Sequence, residues 1–409
     1  MKNVLAILMA GGAGERLYPL TKHEAKPAVP FGGVYRIIDF TLSNCINSGI
    51  KKIFILTQYK SLSLNRHIRD GWNVFSASLG EFVEILPPQK RVSDTWYLGT
   101  ADSVYQNIYS IQIENPTWIF VLAGDHVYKM DYSLMLNYHI KKKADFTVGI
   151  FDVEIQEASR FGVLEVDEEL RIIGFEEKPS NPKPTPFDSS RVYVSMGIYV
   201  FNSEILIKEL EVDSSREDSS HDFGRDVIPK MIKEYRVHGY SFKDEDINEP
   251  KYWKDIGTLD AYYEANMDLV SVVPVFNLYD PNWPLRTYQP QYPPAKFVFA
   301  DEGKRMGVAL DSIVSMGCII SGGKVVNSVL SPNVRINSYS LVEQSVLMND
   351  VNVGRYAKIR KAIIDRETPI PPGTIIGYDL EEDSKRFTVT EKGVVVVQKE
   401  DFNFKGGVE

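Results

Sequence analysis

The chain is poor in cysteine. Cys45 and Cys318 are the only two among 409 residues, and they lie far apart. That excludes a disulfide framework and a zinc-finger pattern and suits a reducing cytosol. It also lacks an excess of basic residues: 46 Lys and Arg face 55 Asp and Glu, a net charge of −9. A surface built to coat nucleic acid or an anionic membrane is therefore not expected. A small anionic substrate is not excluded, because a few cations can converge locally. No apolar run approaches the roughly 18–20 residues that span a bilayer. The start, Lys2 followed by the apolar Val4–Ala10, mimics a signal peptide. It is short and runs straight into Gly11-Gly12-Ala13-Gly14, so it reads as a buried strand entering a loop. The six histidines stop at His238, leaving the C-terminal third without an imidazole base.

What is present is ordinary globular composition, with 44% apolar and 25% charged residues, and a length that predicts two to three domains. Val4–Ala10, Lys52–Thr57, Trp118–Ala123 and Asp145–Val153 read as buried strands. Residues 35–47, 101–114 and 132–143 read as helices between them. This alternation predicts an α/β, Rossmann-like domain with a mostly parallel sheet over residues 1–270. Residues 271–300 gather prolines and aromatics and predict a linker packed against the body. From 301 to 409 helix periodicity vanishes. Aliphatics recur at Ile313, Ile319 and Val325, then at Leu330, Ile336, Val342, Leu347, Val353, Ile359, Ile364, Ile370 and Ile376. A six-residue period, slipping to five twice within the series from Leu330 to Ile376, predicts a left-handed parallel β-helix with one aliphatic per side pointing inward. Such a coil has flat faces and open ends, so oligomerisation is expected.

Three constellations carry chemistry. Gly11-Gly12-Ala13-Gly14-Glu15-Arg16-Leu17 follows the first strand, where glycines let backbone N–H groups approach a phosphate. It matches neither the dinucleotide fingerprint nor the P-loop, and a plain tight turn would also explain it. Arg16 and Lys26 add two cations nearby, of the kind that neutralise a departing pyrophosphate. Asp125 stands at the end of a buried strand, where open sheets bind ligands, and a carboxylate there is a good Mg²⁺ anchor. A helix N-cap is the other reading. Asp255 can be its partner or merely a turn residue. Glu177-Lys178-Pro179 ends a strand-like run. Lys178 can hold a phosphate and Glu177 can accept sugar hydroxyls, though in isolation the residues read first as a solvated charge cluster. His126 reads as a hydrogen-bonded neighbour of the metal carboxylate rather than a ligand.

The glycine loop through Pro19-Leu20-Thr21, with Ala25-Lys26-Pro27-Ala28-Val29-Pro30-Phe31-Gly32-Gly33, resembles the sugar-nucleotide pyrophosphorylases. Longer stretches resemble the bacterial ADP-glucose pyrophosphorylases, or glucose-1-phosphate adenylyltransferases, within that family. They are Tyr35–Phe40 with Leu42-Ser43-Asn44, Trp96–Asp102, Ala123–Tyr132, Arg160–Val163, Ser195–Tyr199 and His221–Gly224. The resemblance spans nearly the whole chain. It implies that ATP and α-D-glucose 1-phosphate give ADP-glucose and pyrophosphate with Mg²⁺, the committed step of glycogen synthesis, in a cytoplasmic homotetramer. It implies Asp125 and Asp255 as metal carboxylates, with Arg16 and Lys26 on the triphosphate. Gly11, Gly12, Gly14 and Gly99 would be nucleotide contacts, Lys178 the sugar-phosphate ligand and Glu177 the ligand of glucose hydroxyls. Tyr97, Gly162 and Ser195 match further glucose 1-phosphate or ADP-glucose contacts. A sugar phosphate or AMP would be the allosteric effector.

Two departures stand out. Ala13 replaces an arginine common in the glycine loop. His23 and Glu24 stand where activator-responsive members often carry basic residues. A weak response to fructose 1,6-bisphosphate is therefore expected. A UDP- or dTDP-glucose pyrophosphorylase and a catalytically inactive regulatory subunit are the alternatives. The second would be expected to lack Arg16, Lys26 or Asp125, and all three are present. An acyltransferase acting through the β-helix lacks its histidine.

Overall fold

The structure is a computed structural model describing residues 1, 3–88, 96–243, 251–301 and 305–402. Among the described residues, nine strands of the N-terminal region form one sheet. In chain order they are β1 (Val4–Met9), β2 (Lys52–Leu56), β3 (Phe82–Leu86), β4 (Trp118–Ala123), β5 (Phe146–Glu154), β6 (Gly162–Val166), β7 (Ile172–Glu177), β8 (Arg191–Asn202) and β9 (Val237–Ser241). Across the sheet the order is β7-β6-β8-β4-β1-β2-β3, with β5 also on β8 and β9 on β5. The half from β4 to β3 is parallel. β8 runs antiparallel to β4, β5 and β6, and β7 antiparallel to β6. The sheet is thus mixed, with its parallel core on the nucleotide-loop side. β1 and β4 are buried on both faces, which is why they read as unbroken apolar runs.

The single helix expected over 101–114 is two, Thr100–Tyr105 and Ile108–Glu114. Asn107 separates them. Its Nδ2 donates to the Ser103 carbonyl (2.8 Å) and the Tyr97 hydroxyl (3.0 Å). A side chain that bonds the backbone this way competes with the helical ladder.

Beyond the linker, three sheets form the faces of the β-helix among the described residues, parallel except where Thr388–Val389 runs antiparallel to Val395–Val397. One ladder aligns Lys324, Leu341, Lys358 and Ile375. Leu330, Ile336, Val342, Leu347, Val353, Ile359, Ile364, Ile370 and Ile376 fill the interior, with Val325. Ile313 and Ile319 do not. Val314 and Ile320 point inward instead, in register with Leu330 and Ile336, and Ile313 packs toward the N-terminal domain. Both positions are apolar pairs, so the period alone could not choose between neighbours. The outer side of one face, with Val329, Val346, Ile363 and Val396, is buried against Phe31, Ile37 and Tyr262. This packing, about 1.5–3 kcal/mol for each large side chain buried, joins the two domains. The linker packs on the helix Ile37–Asn47. Trp283 Nε1 donates to Asn44 Oδ1 (2.8 Å) and the Arg286 N–H to Ser43 Oγ (2.9 Å). Among the described residues, no helix is long and apolar enough to cross a membrane.

Candidate active site

The carboxyl ends of β1 and β4 open onto a cleft, where an open parallel sheet places its ligands. β1 ends in the glycine loop. Gly14 adopts φ +67°, and a Cβ there would lie 3.0 Å from both Lys26 Cβ and Thr21 Cγ2. Only glycine fits that backbone without strain. The Thr21 hydroxyl donates to the Gly14 carbonyl (2.9 Å), closing the loop. At Gly12 nothing among the described residues lies within 4 Å of a Cβ. Arg16, Lys26 and Asp125 line a cavity of about 360 Å³ with Gly12, Gly14 and Gly257. A second cavity, about 490 Å³, is lined by Gly11, Gly12, Gln58, Tyr97, Gly99, Asp125 and Asp222. The two share Met9, Gly12 and Asp125 and form one cleft.

Asp255 reaches this cleft through a short antiparallel ladder in which it pairs with His126. Lys26 Nζ lies 2.7 Å from Asp125 Oδ2 and 3.2 Å from Asp255 Oδ1. His126 Nε2 faces the same carboxylates, 3.5 Å from Asp125 Oδ1 and 3.7 Å from Asp255 Oδ1. Burial acts to raise the Asp125 pKa, but the Lys26 ammonium and then His126 outweigh it and hold the carboxyl down to about 2. Burial likewise acts to lower the Lys26 pKa. The two aspartates reverse this, so the amine stays charged.

Ligand atoms of Asp125, His126 and Asp255 lie within 4.8 Å of one another. Two carboxylates make this donor set oxygen-rich, which fits a hard divalent cation. Among the described residues, His126 Nδ1 is buried without a partner. A metal-bound histidine normally donates that second N–H, so the imidazole fits better as an Nε2–H donor beside the carboxylates.

Gly99 caps the helix Thr100–Tyr105, and a Cβ there would come within 2.2 Å of the His221 carbonyl oxygen. That close approach lets the Ala101 and Asp102 N–H groups bond the same oxygen. Tyr97 is fixed by its own N–H on Gln58 Oε1 (3.0 Å) and by Asn107 on its hydroxyl.

Gly162, Glu177, Lys178 and Ser195 line neither cavity. They form an adjoining patch. Glu177 pairs with Gly162 across β7 and β6, and the β8–β6 register runs on toward Ser195. A Cβ on Gly162 would lie 2.9 Å from Glu177 Oε2. Lys178 sits just past β7 at φ +51°, its N–H on the Phe161 carbonyl (2.9 Å). Gly197, two residues past Ser195 on β8, approaches His126: a Cβ there would lie 3.5 Å from His126 Cε1.

Gln58, Asp222 and Gly257 were not singled out from sequence. Gln58 follows the end of β2, so the strand-end rule could have found it. Asp222 lies within the His221–Gly224 stretch that carries the resemblance, without a role read from it, and nothing local marks Gly257.

The nucleotidyl transferase family profile matches residues 5–272, and a GlmU-like C-terminal hexapeptide profile matches 293–397. A glucose-1-phosphate adenylyltransferase from Koribacter versatilis is 57% identical, covering 100% of this chain and 98% of that protein. One from Rhodopirellula baltica is 54% identical over 98% of this chain and 90% of its own length. One from Methylococcus capsulatus is 52% identical over 97% and 93%. Nucleotidyltransferases generally use a divalent metal ion, in keeping with the carboxylate pair. With such identity along the whole of both domains, the chain belongs to the glucose-1-phosphate adenylyltransferases, nucleotidyl transferases that carry a hexapeptide-repeat β-helix.

Proposed function

We propose that this protein converts ATP and α-D-glucose 1-phosphate into ADP-glucose and pyrophosphate with Mg²⁺, the committed step of glycogen or α-glucan synthesis. The observation that carries this reading is the Lys26–Asp125–Asp255 cluster beside a glycine loop, at the mouth of a parallel sheet. Gly11, Gly12, Gly14 and Gly99 shape the nucleotide side. Arg16 and Lys26 carry the charge of the triphosphate where pyrophosphate leaves. Tyr97, Gly162, Glu177, Lys178 and Ser195 hold the sugar phosphate. Asn107 donates to the Tyr97 oxygen, leaving the tyrosine proton free to donate into the cleft. The sugar phosphate attacks the α-phosphorus in line, and the chain provides no covalent intermediate. Its work is positioning and charge stabilisation. Bound between Asp125 and Asp255, Mg²⁺ would supply a template and Lewis acid for the phosphates.

We divide the chain into a catalytic domain (1–270), a linker (271–300) and a β-helix (301–409), and assign a cytoplasmic homotetramer. The exposed Val272, Val273, Val275 and Tyr279 support association, since they form an uncovered apolar run. Two buried free cysteines support a reducing compartment. A weak response to a sugar-phosphate activator is supported by Glu24. Its buried carboxylate already pairs with Arg366 and lies 3.6 Å from Arg36.

The test is pyrophosphate release with glucose 1-phosphate and Mg²⁺, using ATP, UTP, dTTP and GTP side by side. Preference for ATP is expected. Preference for UTP or dTTP would move the protein to another pyrophosphorylase. No release with any nucleotide would make it a regulatory subunit.

A further inference from the structure

We propose that Lys26 has two seats: in the free enzyme its ammonium bridges Asp125 and Asp255, and a divalent cation entering between those carboxylates moves it onto the nucleotide phosphates. The inference rests on the function proposed above.

The bridge is direct, at 2.7 Å to Asp125 Oδ2 and 3.2 Å to Asp255 Oδ1. It is also sheltered, with the Lys26 side chain 10% exposed. The base of the side chain is fixed. Lys26 opens a short 3₁₀ turn with Pro27 next to it, and its Cβ packs against Gly14. Three methylenes beyond Cβ leave the ammonium mobile, and it lines the same cavity as Arg16 and the glycine loop. The carboxylate atoms that face His126 are Asp125 Oδ1 and Asp255 Oδ1. Asp255 Oδ1 therefore faces both the Lys26 ammonium and His126. An oxygen drawn to within about 2.1 Å of Mg²⁺ cannot keep an ammonium beside it without placing three positive charges against two negative ones in a sheltered cleft. One cation has to leave, and the long, flexible one can.

Metal alone must evict a cation that then has no partner. Metal arriving with a triphosphate gives the ammonium a new anion. Binding of the two is therefore positively coupled, and by linkage the coupling runs both ways. In the free enzyme, Lys26 also keeps the two carboxylates from repelling each other.

The probe is Mn²⁺ alone, titrated into the full-length protein without nucleotide and followed by electron paramagnetic resonance of the unbound ion. Lys26→Met is expected to bind Mn²⁺ at least about tenfold more tightly than the parent, because the competing charge is gone. Equal or weaker binding overturns the proposal. Should K26M not fold, the parent is tested by acetic anhydride labelling read by mass spectrometry. Acetylation of Lys26 is expected to rise several-fold with saturating Mn²⁺, and to fall again when a non-hydrolysable ATP analogue is added. No rise with Mn²⁺ overturns the proposal. Parent activity with ATP and Mg²⁺ is read separately. An inactive parent removes the proposed function, whereas an active parent with unchanged Mn²⁺ behaviour removes only the two-seat role.

Discussion

Replacing Asp125 with asparagine tests the centre of the cleft with the least change of shape. The side chain keeps its size and its place at the end of β4 but loses one negative charge. That charge lies 2.7 Å from Lys26 Nζ and 3.5 Å from His126 Nε2. A unit charge about 4 Å from a cation is worth roughly 4 kcal/mol at an effective dielectric near 20. Asp125 is 30% exposed, so water screens part of this, and Asp255 remains to hold the cation. A loss of about 2.7 kcal/mol or more at the transition state is a fall of about 10²-fold or more. The assay is steady-state pyrophosphate release at saturating ATP and glucose 1-phosphate, with Mg²⁺ titrated. Turnover of D125N is expected to fall by at least ~10²-fold, with partial recovery at high Mg²⁺. The melting temperature should stay within a few degrees of the parent, because Lys26 keeps Asp255 as a partner. Turnover within a few-fold of the parent at ordinary Mg²⁺ would refute the assignment of Asp125 to the metal site.

Lys178→Ala should raise the half-saturating glucose 1-phosphate concentration by about tenfold or more, the loss of one charge-assisted contact, with little change in turnover. An unchanged half-saturation contradicts its role. Asp365 offers a pH test away from the cleft. Burial raises its pKa to about 6, helped by Glu400 and opposed by the Arg366 N–H bond. The folded state thus holds the proton more tightly than the unfolded one. Stability is lost as pH climbs from about 4 to about 6, so Asp365→Asn should stabilise the protein by about 2–3 kcal/mol at pH 8 and by almost nothing at pH 4. Melting curves at both pH values decide, and equal shifts would be wrong for this account. Replacing Val272 and Val273 together with Asp should shift the oligomer toward smaller species in light scattering while leaving the fold intact. An unchanged mass removes this run from the interface. Fructose 1,6-bisphosphate should lower the half-saturating ATP concentration by no more than a few-fold, and a many-fold drop would contradict the reading of Glu24.

Much of the architecture was legible because it depends on local pattern. The apolar runs of β1 and β4 signalled strands buried on both faces. The glycine loop was visible because Gly14 needs a backbone that other residues adopt only with strain. Arg16, Lys26 and Asp125 could be picked out from that loop and from one strand end. The sugar-side patch was much less legible. In sequence, Glu177 and Lys178 look like any charged strand end, and Gly162 and Ser195 like ordinary strand residues. Their proximity comes from the registers of β7, β6 and β8. The break at Asn107 was invisible because apolar periodicity does not report side-chain bonds, here one to the Ser103 carbonyl and one to Tyr97, ten residues back.

The sequence by itself determined the six-residue coil of the C-terminal domain, the phosphate-approaching loop after the first strand and the charge types gathered around it. Each is a short-range property, fixed by side-chain periodicity or by the backbone freedom of single residues. Only the tertiary structure decided that Asp255 would meet Asp125, through a ladder joining distant segments. It also set Val314 and Ile320 inward in the first coil. It seated Lys26 between two carboxylates and Glu24 against Arg366. These are long-range pairings. Packing of the whole sheet against the whole β-helix chooses them, and no local window of sequence contains both partners.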